Sequence, residues 1–164
     1  MESLIQENRI KVNYFAKNQF AAISMAAKPL EEQGFVSEGF LEAVMEREKS
    51  FPTGLPTFIG VALPHTEAKF VLNEGISILT LEKPVIFSGM GNPKEEIQTE
   101  IIFLLAINNP VKQINVLQTI ITIIQNKTML QKIKGAKDPK SIYNLINHSF
   151  KQIRVNNDKK EKIS

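Results

Sequence analysis

The chain contains no cysteine and only two histidines, His65 and His148, among its 164 residues. Without cysteine the protein has no disulfide, thiolate metal site, iron–sulfur cluster or cysteine nucleophile. Two histidines are too few for a histidine-rich metal site. The sequence therefore predicts no bound metal and no cofactor, and any chemistry must use other side chains.

Long hydrophobic runs are also missing. The longest apolar stretch, Ile101–Ile107, has seven residues, whereas a helix needs roughly 20 to cross a bilayer. Residues 1–7 lack the basic start and apolar stretch of a secretory signal. We therefore expect a cytoplasmic protein with no direct membrane insertion.

An excess of charge on the folded part is absent as well. The formal net charge is +3, from 20 basic and 17 acidic residues. Five of the basic and two of the acidic residues lie in residues 151–164, which leaves 15 of each sign in residues 1–150. A nucleic-acid-binding protein concentrates positive charge on its folded surface, so we predict no nucleic-acid partner. We expect one domain over residues 1–150 and a basic, mobile tail over residues 151–164.

Helical periodicity is present in four segments. Asn18, Ser37 and the Asp138-Pro139 pair can cap three of these helices, and Gly34 can end the first. The predicted buried stripes are Phe20, Ile23, Ala27 and Leu30; Phe40, Leu41, Val44 and Met45; Ile114, Leu117, Ile121 and Ile124; and Ile142, Leu145 and Ile146. Arg47 lies off the second stripe.

Strand-like segments alternate with these helices. The predicted strands are residues 9–13, 58–63, 76–81, 85–87 and 100–107. Such alternation indicates an α/β fold in which helices flank a sheet. Pro64 follows one of the apolar runs and favours extended backbone before it, so His65 is expected just beyond a buried strand.

Several common active-site motifs are absent. No Gly-x-Ser-x-Gly elbow, His-Glu-x-x-His pair or P-loop occurs, and Gly89-Met90-Gly91 lacks the third glycine of a dinucleotide loop. His65-Thr66-Glu67 resembles part of a deaminase site but lacks its cysteines. A serine, histidine and carboxylate that meet only in space stay an open alternative.

Histidine itself is the other candidate nucleophile. A neutral imidazole, with a pKa of about 6.5, carries a nitrogen lone pair that can accept a phosphoryl group. Phosphoryl transfer then needs donors around the phosphate oxygens. Arg47 is the best candidate, because its guanidinium can hold two oxygens at once.

The segment Gly60-Val61-Ala62-Leu63-Pro64-His65 resembles the phosphorylation-site motif of the fructose and mannitol class of phosphotransferase-system (PTS) enzyme IIA domains. Met45-Glu46-Arg47-Glu48 and Thr53-Gly54 resemble two further segments of that family. The likeness continues through Glu100–Asn108 and Lys112–Leu117, and covers roughly residues 8–148. Residues 51–55, the triplet Pro64-His65-Thr66 and the pair Lys112-Gln113 are most similar to the galactitol branch.

The resemblance implies a single domain with a mixed sheet flanked by helices. It implies that HPr donates phosphate to His65 and that a cysteine of a cognate enzyme IIB, which works with a membrane enzyme IIC, accepts it. Arg47 matches an arginine that helps to hold the phosphate. Thr66 stands where many members have glycine, and Gln113 where several have a second histidine, so both are predicted neighbours of the phosphate site.

Two outputs of such a phosphohistidine carrier stay open. One is transport, in which the phosphate commits a sugar or a sugar alcohol such as galactitol to uptake. The other is regulation, in which phosphorylation controls binding to other partners, as in nitrogen-linked relatives. His148 belongs to no recognisable site and is predicted to lie on the surface.

Overall fold

The computed structural model describes residues 4–163, so the expectation about residues 1–7 lies partly outside the described part. The strands are β1 Ile10–Tyr14, β2 Gly54–Leu55, β3 Gly60–Ala62, β4 Gly75–Ser88 and β5 Glu96–Ala106. The helices are α1 Gln19–Glu32, α2 Phe40–Ser50, α3 Pro110–Ile124, α4 Lys127–Gly135 and α5 Pro139–Ile163. Short 3-10 turns occupy Glu7–Arg9 and Ala68–Phe70.

The five strands form one mixed sheet in the order β1-β4-β5-β3-β2. β4 and β5 pair antiparallel in the centre, while β1 pairs parallel with β4 and β3 pairs parallel with β5. The short β2 runs antiparallel to β3. This architecture confirms the predicted α/β class with a mixed sheet flanked by helices.

Side chains of the central strands alternate between two buried cores. Ile101, Phe103 and Leu105 face the core that contains α3, α4 and α5. Ile102 and Leu104 face the core that contains α1 and α2. Both faces of the sheet are therefore covered, which explains why β5 reads as a continuous hydrophobic run.

Two predicted helix caps are confirmed. The Asn18 side chain accepts a hydrogen bond from the backbone N–H of Ala21 at 2.9 Å. The Asp138 carboxylate accepts one from the backbone N–H of Ser141 at 2.8 Å. Both satisfy N–H groups that the first helical turn leaves unpaired.

The predicted cap at Ser37 is wrong. Helix α2 begins at Phe40, and Gly39 precedes it with a left-handed φ of 91°. Ser37 instead donates from both its backbone N–H and its hydroxyl to the carbonyl of Phe70, at 2.9 and 3.3 Å. These bonds tie the entry of α2 to the segment that follows His65.

The predicted stripe on α3 is confirmed in part. Ile124 is buried and Leu117 and Ile121 pack half-buried against the core, whereas Ile114 is exposed. The fully buried Val116, Ile120 and Ile123 lie on an adjacent stripe. Helix α3 carries two adjacent apolar stripes, so periodicity alone does not determine which one faces the sheet.

Three predicted strands are shortened or joined in the structure. The run over residues 58–63 contains a strand only at β3, because the preceding residues form a bend in which the Thr57 hydroxyl donates to the Ile59 carbonyl at 2.7 Å. The predicted strands at residues 76–81 and 85–87 belong to the single strand β4. Pro84 lies at the register shift inside β4, where its missing N–H removes no ladder bond.

The C-terminal segment is helical. Helix α5 continues to Ile163, and every described side chain from Arg154 onward is exposed. The sequence analysis identified this segment as solvated but did not predict its helix, nor did it predict α4. The mobility of the tail and a domain boundary at residue 150 stay predictions. Among residues 4–163, no helix has the length and apolar character required to span a bilayer.

Candidate functional site

His65 lies three residues beyond the carboxyl end of β3, the strand that runs between the central strand β5 and the edge strand β2. The backbone carbonyl of Pro64 accepts a hydrogen bond from the N–H of Leu105 at 3.1 Å. This bond holds the segment before His65 against β5 after the β3 ladder has ended. His65 is half-buried at that edge of the sheet.

The imidazole of His65 has one defined hydrogen-bond partner. Its Nδ1 lies 2.7 Å from the backbone carbonyl oxygen of Leu63. A carbonyl oxygen can only accept, so Nδ1 must carry the proton. In the neutral ring the lone pair then belongs to Nε2, which is the nitrogen available for nucleophilic attack.

The surroundings of His65 favour that neutral form. Burial lowers the pKa of His65 from its ordinary 6.5, and the positive charge of Arg47 lowers it further, while the hydrogen bond to Leu63 acts in the opposite direction. A lowered pKa keeps the imidazole uncharged at neutral pH. The ring therefore presents a lone pair rather than a second N–H.

Arg47 lies in the last turn of α2, where a cation interacts favourably with the helix dipole. Its guanidinium carbon is 5.2 Å from the ring centroid of Phe51. Its Nε is buried and has no hydrogen-bond partner in the described part of the chain. A buried N–H without a partner costs free energy, and an anion oxygen would satisfy it.

Thr66 is buried beside this arginine. Thr66, Arg47, Phe51 and Lys69 line the same open cleft of about 370 Å³. Arg47 and Thr66 thus share one cleft, and the charge of Arg47 also acts on His65, the residue before Thr66. An anion in this cleft would meet the Arg47 guanidinium.

No hydrogen bond joins Gln113 to these three residues in the described part of the chain. Gln113 is half-buried in the first turn of α3, and its backbone N–H donates to the Asn109 carbonyl at 2.9 Å. Within residues 4–163 its side chain makes no hydrogen bond to His65. Its role beside the phosphate site stays a prediction.

A buried carboxylate beside Arg47 escaped the sequence analysis. The Glu48 side chain is only 4% exposed and accepts from the backbone N–H of Thr53 at 2.8 Å and from the Thr53 hydroxyl at 2.9 Å. Burial raises the pKa of Glu48 to about 7, although both bonds from Thr53 act to lower it. The Thr53 hydroxyl oxygen in turn accepts from the backbone N–H of Leu63 at 3.1 Å.

This arrangement links α2 to the residue that holds the His65 ring. Leu63 is anchored at its N–H by Thr53 and offers its carbonyl to His65. Glu48 and Thr53 lie in two of the segments that resemble the enzyme IIA family, but that resemblance assigned them no role. A helical glutamate is ordinarily exposed, so periodicity offered no reason to expect it inside.

His148 and metal-binding groups do not contribute to this site. His148 is exposed on α5, as predicted for a surface residue, and lines a separate groove with Leu145 and Met129. Within residues 4–163, no cluster of three or more histidine, aspartate or glutamate side chains could hold a metal ion.

The family described as "Phosphoenolpyruvate-dependent sugar phosphotransferase system, EIIA 2" matches residues 3–149. The chain belongs to this enzyme IIA family. Its members are phosphotransferase components that act through a phosphohistidine. The resemblance to the mannitol and fructose class is therefore confirmed, whereas the galactitol branch is not.

Curated members of the enzyme IIA family align along most of the chain. The "Mannitol-specific phosphotransferase enzyme IIA component" of Bacillus subtilis is 30% identical over 150 residues, which are 90% of this chain and 98% of that protein. The "PTS system mannitol-specific EIICBA component" of Buchnera aphidicola is 31% identical over 139 residues, which are 83% of this chain but 20% of that longer protein.

Solved enzyme IIA structures share the fold. The nitrogen regulatory protein IIA-Ntr of Neisseria meningitidis superposes with a TM-score of 0.74 at 20% identity, covering 88% of this chain and 97% of that one. Enzyme IIAMTL of Escherichia coli, solved in a complex with phosphorylated enzyme IIBMTL, gives 0.69 at 20% identity over 87% and 96% of the two chains. At this level of identity the likeness concerns the fold alone.

Substitution of Arg47 tests its electrostatic contact with His65. Arg47→Gln removes the positive charge that disfavours the imidazolium, so we expect the pKa of His65 to rise. A pH titration of the histidine ring resonances by NMR measures this change. Lys49→Gln, which removes an exposed cation from the same helix, is the matched control and should leave the value unchanged. A His65 pKa that stays constant or falls in Arg47→Gln would contradict the assignment.

Substitution of Glu48 tests the buried carboxyl. Because its pKa rises from 4.5 to about 7 on folding, the folded state keeps a proton that the unfolded state loses in that window. The contribution of Glu48 to stability is therefore complete below pH 4.5 and declines until about pH 7. Relative to Glu48→Gln, the wild-type free energy of unfolding should fall by roughly 3 kcal/mol across this window.

Urea denaturation at pH 4.5, 6 and 8 measures this difference. Glu42→Gln replaces an exposed carboxylate of the same helix and should show a much flatter difference from wild type. A constant difference between wild type and Glu48→Gln over the whole range would show that Glu48 titrates normally in the folded state.

Proposed function

We propose that His65 is the phosphoacceptor of this enzyme IIA protein, taking phosphate from phospho-HPr and passing it to a cysteine of a cognate enzyme IIB. The observation that carries the proposal is the hydrogen bond from Nδ1 to the Leu63 carbonyl, 2.7 Å long. It directs the lone pair of a neutral ring to Nε2. His148, the other histidine in the chain, is exposed, and its side chain makes no hydrogen bond in the described part of the structure.

The transfer has two steps that balance. First, the Nε2 lone pair attacks the phosphorus of the donor, and the bond between phosphorus and the donor atom breaks with its electron pair returning to the donor. Second, a thiolate of enzyme IIB attacks the same phosphorus, and the bond from phosphorus to Nε2 breaks with its pair returning to the ring. Nδ1 keeps its proton throughout, so Leu63 holds the ring in both steps.

Arg47 has the position and charge to stabilise the transferred group. The unpartnered Nε and the rest of its guanidinium can donate to phosphate oxygens. Phosphoryl transfer depends mainly on positioning and charge stabilisation of this kind. We assign Thr66 to the wall of the phosphate site. Gln113 is assigned a weaker role, in which its amide orients groups at the site but cannot take up a proton.

The transport reading is favoured over the regulatory one by the relatives. The B. subtilis relative is named as a mannitol-specific component and aligns over nearly its whole length. We therefore propose a cytoplasmic carrier that acts with an enzyme IIB and a membrane enzyme IIC in uptake of a sugar or sugar alcohol. Galactitol stays a prediction, based on the segments that resemble the galactitol branch. Mannitol, which the names of the relatives give, is the other candidate substrate. The fold shared with IIA-Ntr keeps regulation as the alternative.

Intact-mass measurement tests the phosphoacceptor. Incubation with phosphoenolpyruvate, enzyme I and HPr should add one acid-labile phosphate to the wild type and none to His65→Ala. His148→Ala is the matched control and should be labelled like the wild type, because its side chain is exposed and remote in sequence from the motif. Label lost in His148→Ala and kept in His65→Ala would overturn the assignment.

A second stage separates transport from regulation. The phosphorylated wild type is mixed with the cognate enzyme IIB and with a variant of that enzyme IIB in which the acceptor cysteine is replaced by serine. Rapid loss of phosphate to the wild-type enzyme IIB alone supports the transport function. Stable phosphate on His65 in the presence of every available enzyme IIB would favour the regulatory function.

A further inference from the structure

The Leu63 carbonyl orients His65 only if the backbone of Leu63 is itself held in place. Strand β3 ends at Ala62, so Leu63 lies outside the regular ladder. Its N–H donates to the Thr53 hydroxyl instead of to a neighbouring strand. The Thr53 hydroxyl therefore takes the place of the inter-strand hydrogen bond that Leu63, the residue in contact with the imidazole, lacks.

The Thr53 hydroxyl is fixed in turn by Glu48. When that hydroxyl accepts from Leu63, its own proton is directed to the Glu48 carboxylate, 2.9 Å away. The Thr53 N–H donates to the other carboxylate oxygen at 2.8 Å. Glu48 thus determines both the position of Thr53 and the direction of its hydroxyl.

Helix α2 carries no competing partner for Glu48. In residues 4–163, no lysine or arginine lies within ion-pair distance of its carboxylate, although Arg47 is the adjacent residue. A buried carboxylate without a cation is unfavourable for stability. The ionised form of Glu48 is therefore unfavourable for folding, although the side chain serves the geometry around His65.

We propose that Glu48 and Thr53 are positioning residues for phosphoryl transfer, which fix Leu63 so that its carbonyl retains the Nδ1 proton of His65 and leaves Nε2 free. This inference rests on the proposed function of His65. Neither side chain touches the reacting atoms. Both act through the backbone of Leu63.

The imidazole tautomer is a readout that a merely structural role would not change. Long-range ¹H–¹⁵N NMR distinguishes a protonated from an unprotonated ring nitrogen, and the two histidines give only two sets of signals. The wild type should show His65 with a proton on Nδ1. Thr53→Val, which removes the hydroxyl and keeps the shape, should shift a substantial fraction of His65 to the Nε2–H tautomer.

The rate of phosphoryl transfer provides the second readout. In Thr53→Val we expect kcat for transfer from phospho-HPr to fall by about tenfold or more, since small displacements of a reacting group have effects of this size. KM should stay within about twofold, because the substitution is buried and leaves the docking surface unchanged. Thr53→Ser, which restores a hydroxyl, should recover both the tautomer and the rate.

Two further variants keep the test decisive. Thr99→Val removes another buried hydroxyl, one that donates to the Ile97 carbonyl and has no link to Leu63, and it should leave the tautomer and the rate unchanged. Glu48→Gln keeps one acceptor oxygen and replaces the other with a donor. Glu48→Gln should also shift His65 towards the Nε2–H tautomer. It therefore provides an independent test if Thr53→Val does not fold.

Folded Thr53→Val and Glu48→Gln proteins with wild-type tautomer and wild-type kcat would overturn the proposal. So would equal effects of Thr99→Val, which would indicate a general response to lost stability. The tautomer is measured on unphosphorylated protein. Failure of phosphate transfer to the wild type would therefore contradict the proposed function, while the tautomer would still test the positioning of the ring.

Discussion

The hydrogen bond between His65 Nδ1 and the Leu63 carbonyl is the interaction on which the geometry of the site depends. It gives the imidazole a defined tautomer, with the proton on Nδ1 and the lone pair on Nε2. The surrounding sheet is organised to keep that carbonyl in place. Thr53 holds the N–H of Leu63, and Leu105 on the central strand holds the carbonyl of Pro64. The site thus continues β3 beyond Ala62, its last regularly paired residue.

Arg47 and Glu48, which are adjacent in α2, have different electrostatic roles. Arg47 faces the open cleft, where its positive charge disfavours protonation of His65 and can attract a phosphate. Glu48 faces the interior and binds Thr53. One turn of helix therefore supplies both a positive charge that acts on His65 and an anchor for the backbone that orients the ring. The cost is a buried carboxyl whose pKa rises to about 7.

Local signals in the sequence predicted local features well. The caps at Asn18 and Asp138 and the position of His65 beyond a strand depend on a few adjacent residues, and the structure contains them. Features that depend on tertiary competition were missed. Helix α3 has two adjacent apolar stripes, and packing against the sheet determines which of them is buried. Ser37 does not cap α2 because it donates to the carbonyl of Phe70, which lies far away in the sequence. Glu48 is buried where its carboxyl binds Thr53, which in turn binds Leu63. These residues lie outside α2, so the periodicity of that helix could not predict the burial.

The most direct test of the central claim is to determine which ring nitrogen carries phosphate. Protein labelled with ¹⁵N in histidine, phosphorylated through enzyme I and HPr, gives a phosphorus–nitrogen coupling that identifies the bonded atom. We predict phosphate on Nε2 of His65, with Nδ1 still protonated and hydrogen-bonded to Leu63. Phosphate on Nδ1 would contradict this prediction, because the Leu63 hydrogen bond would then have to break before transfer.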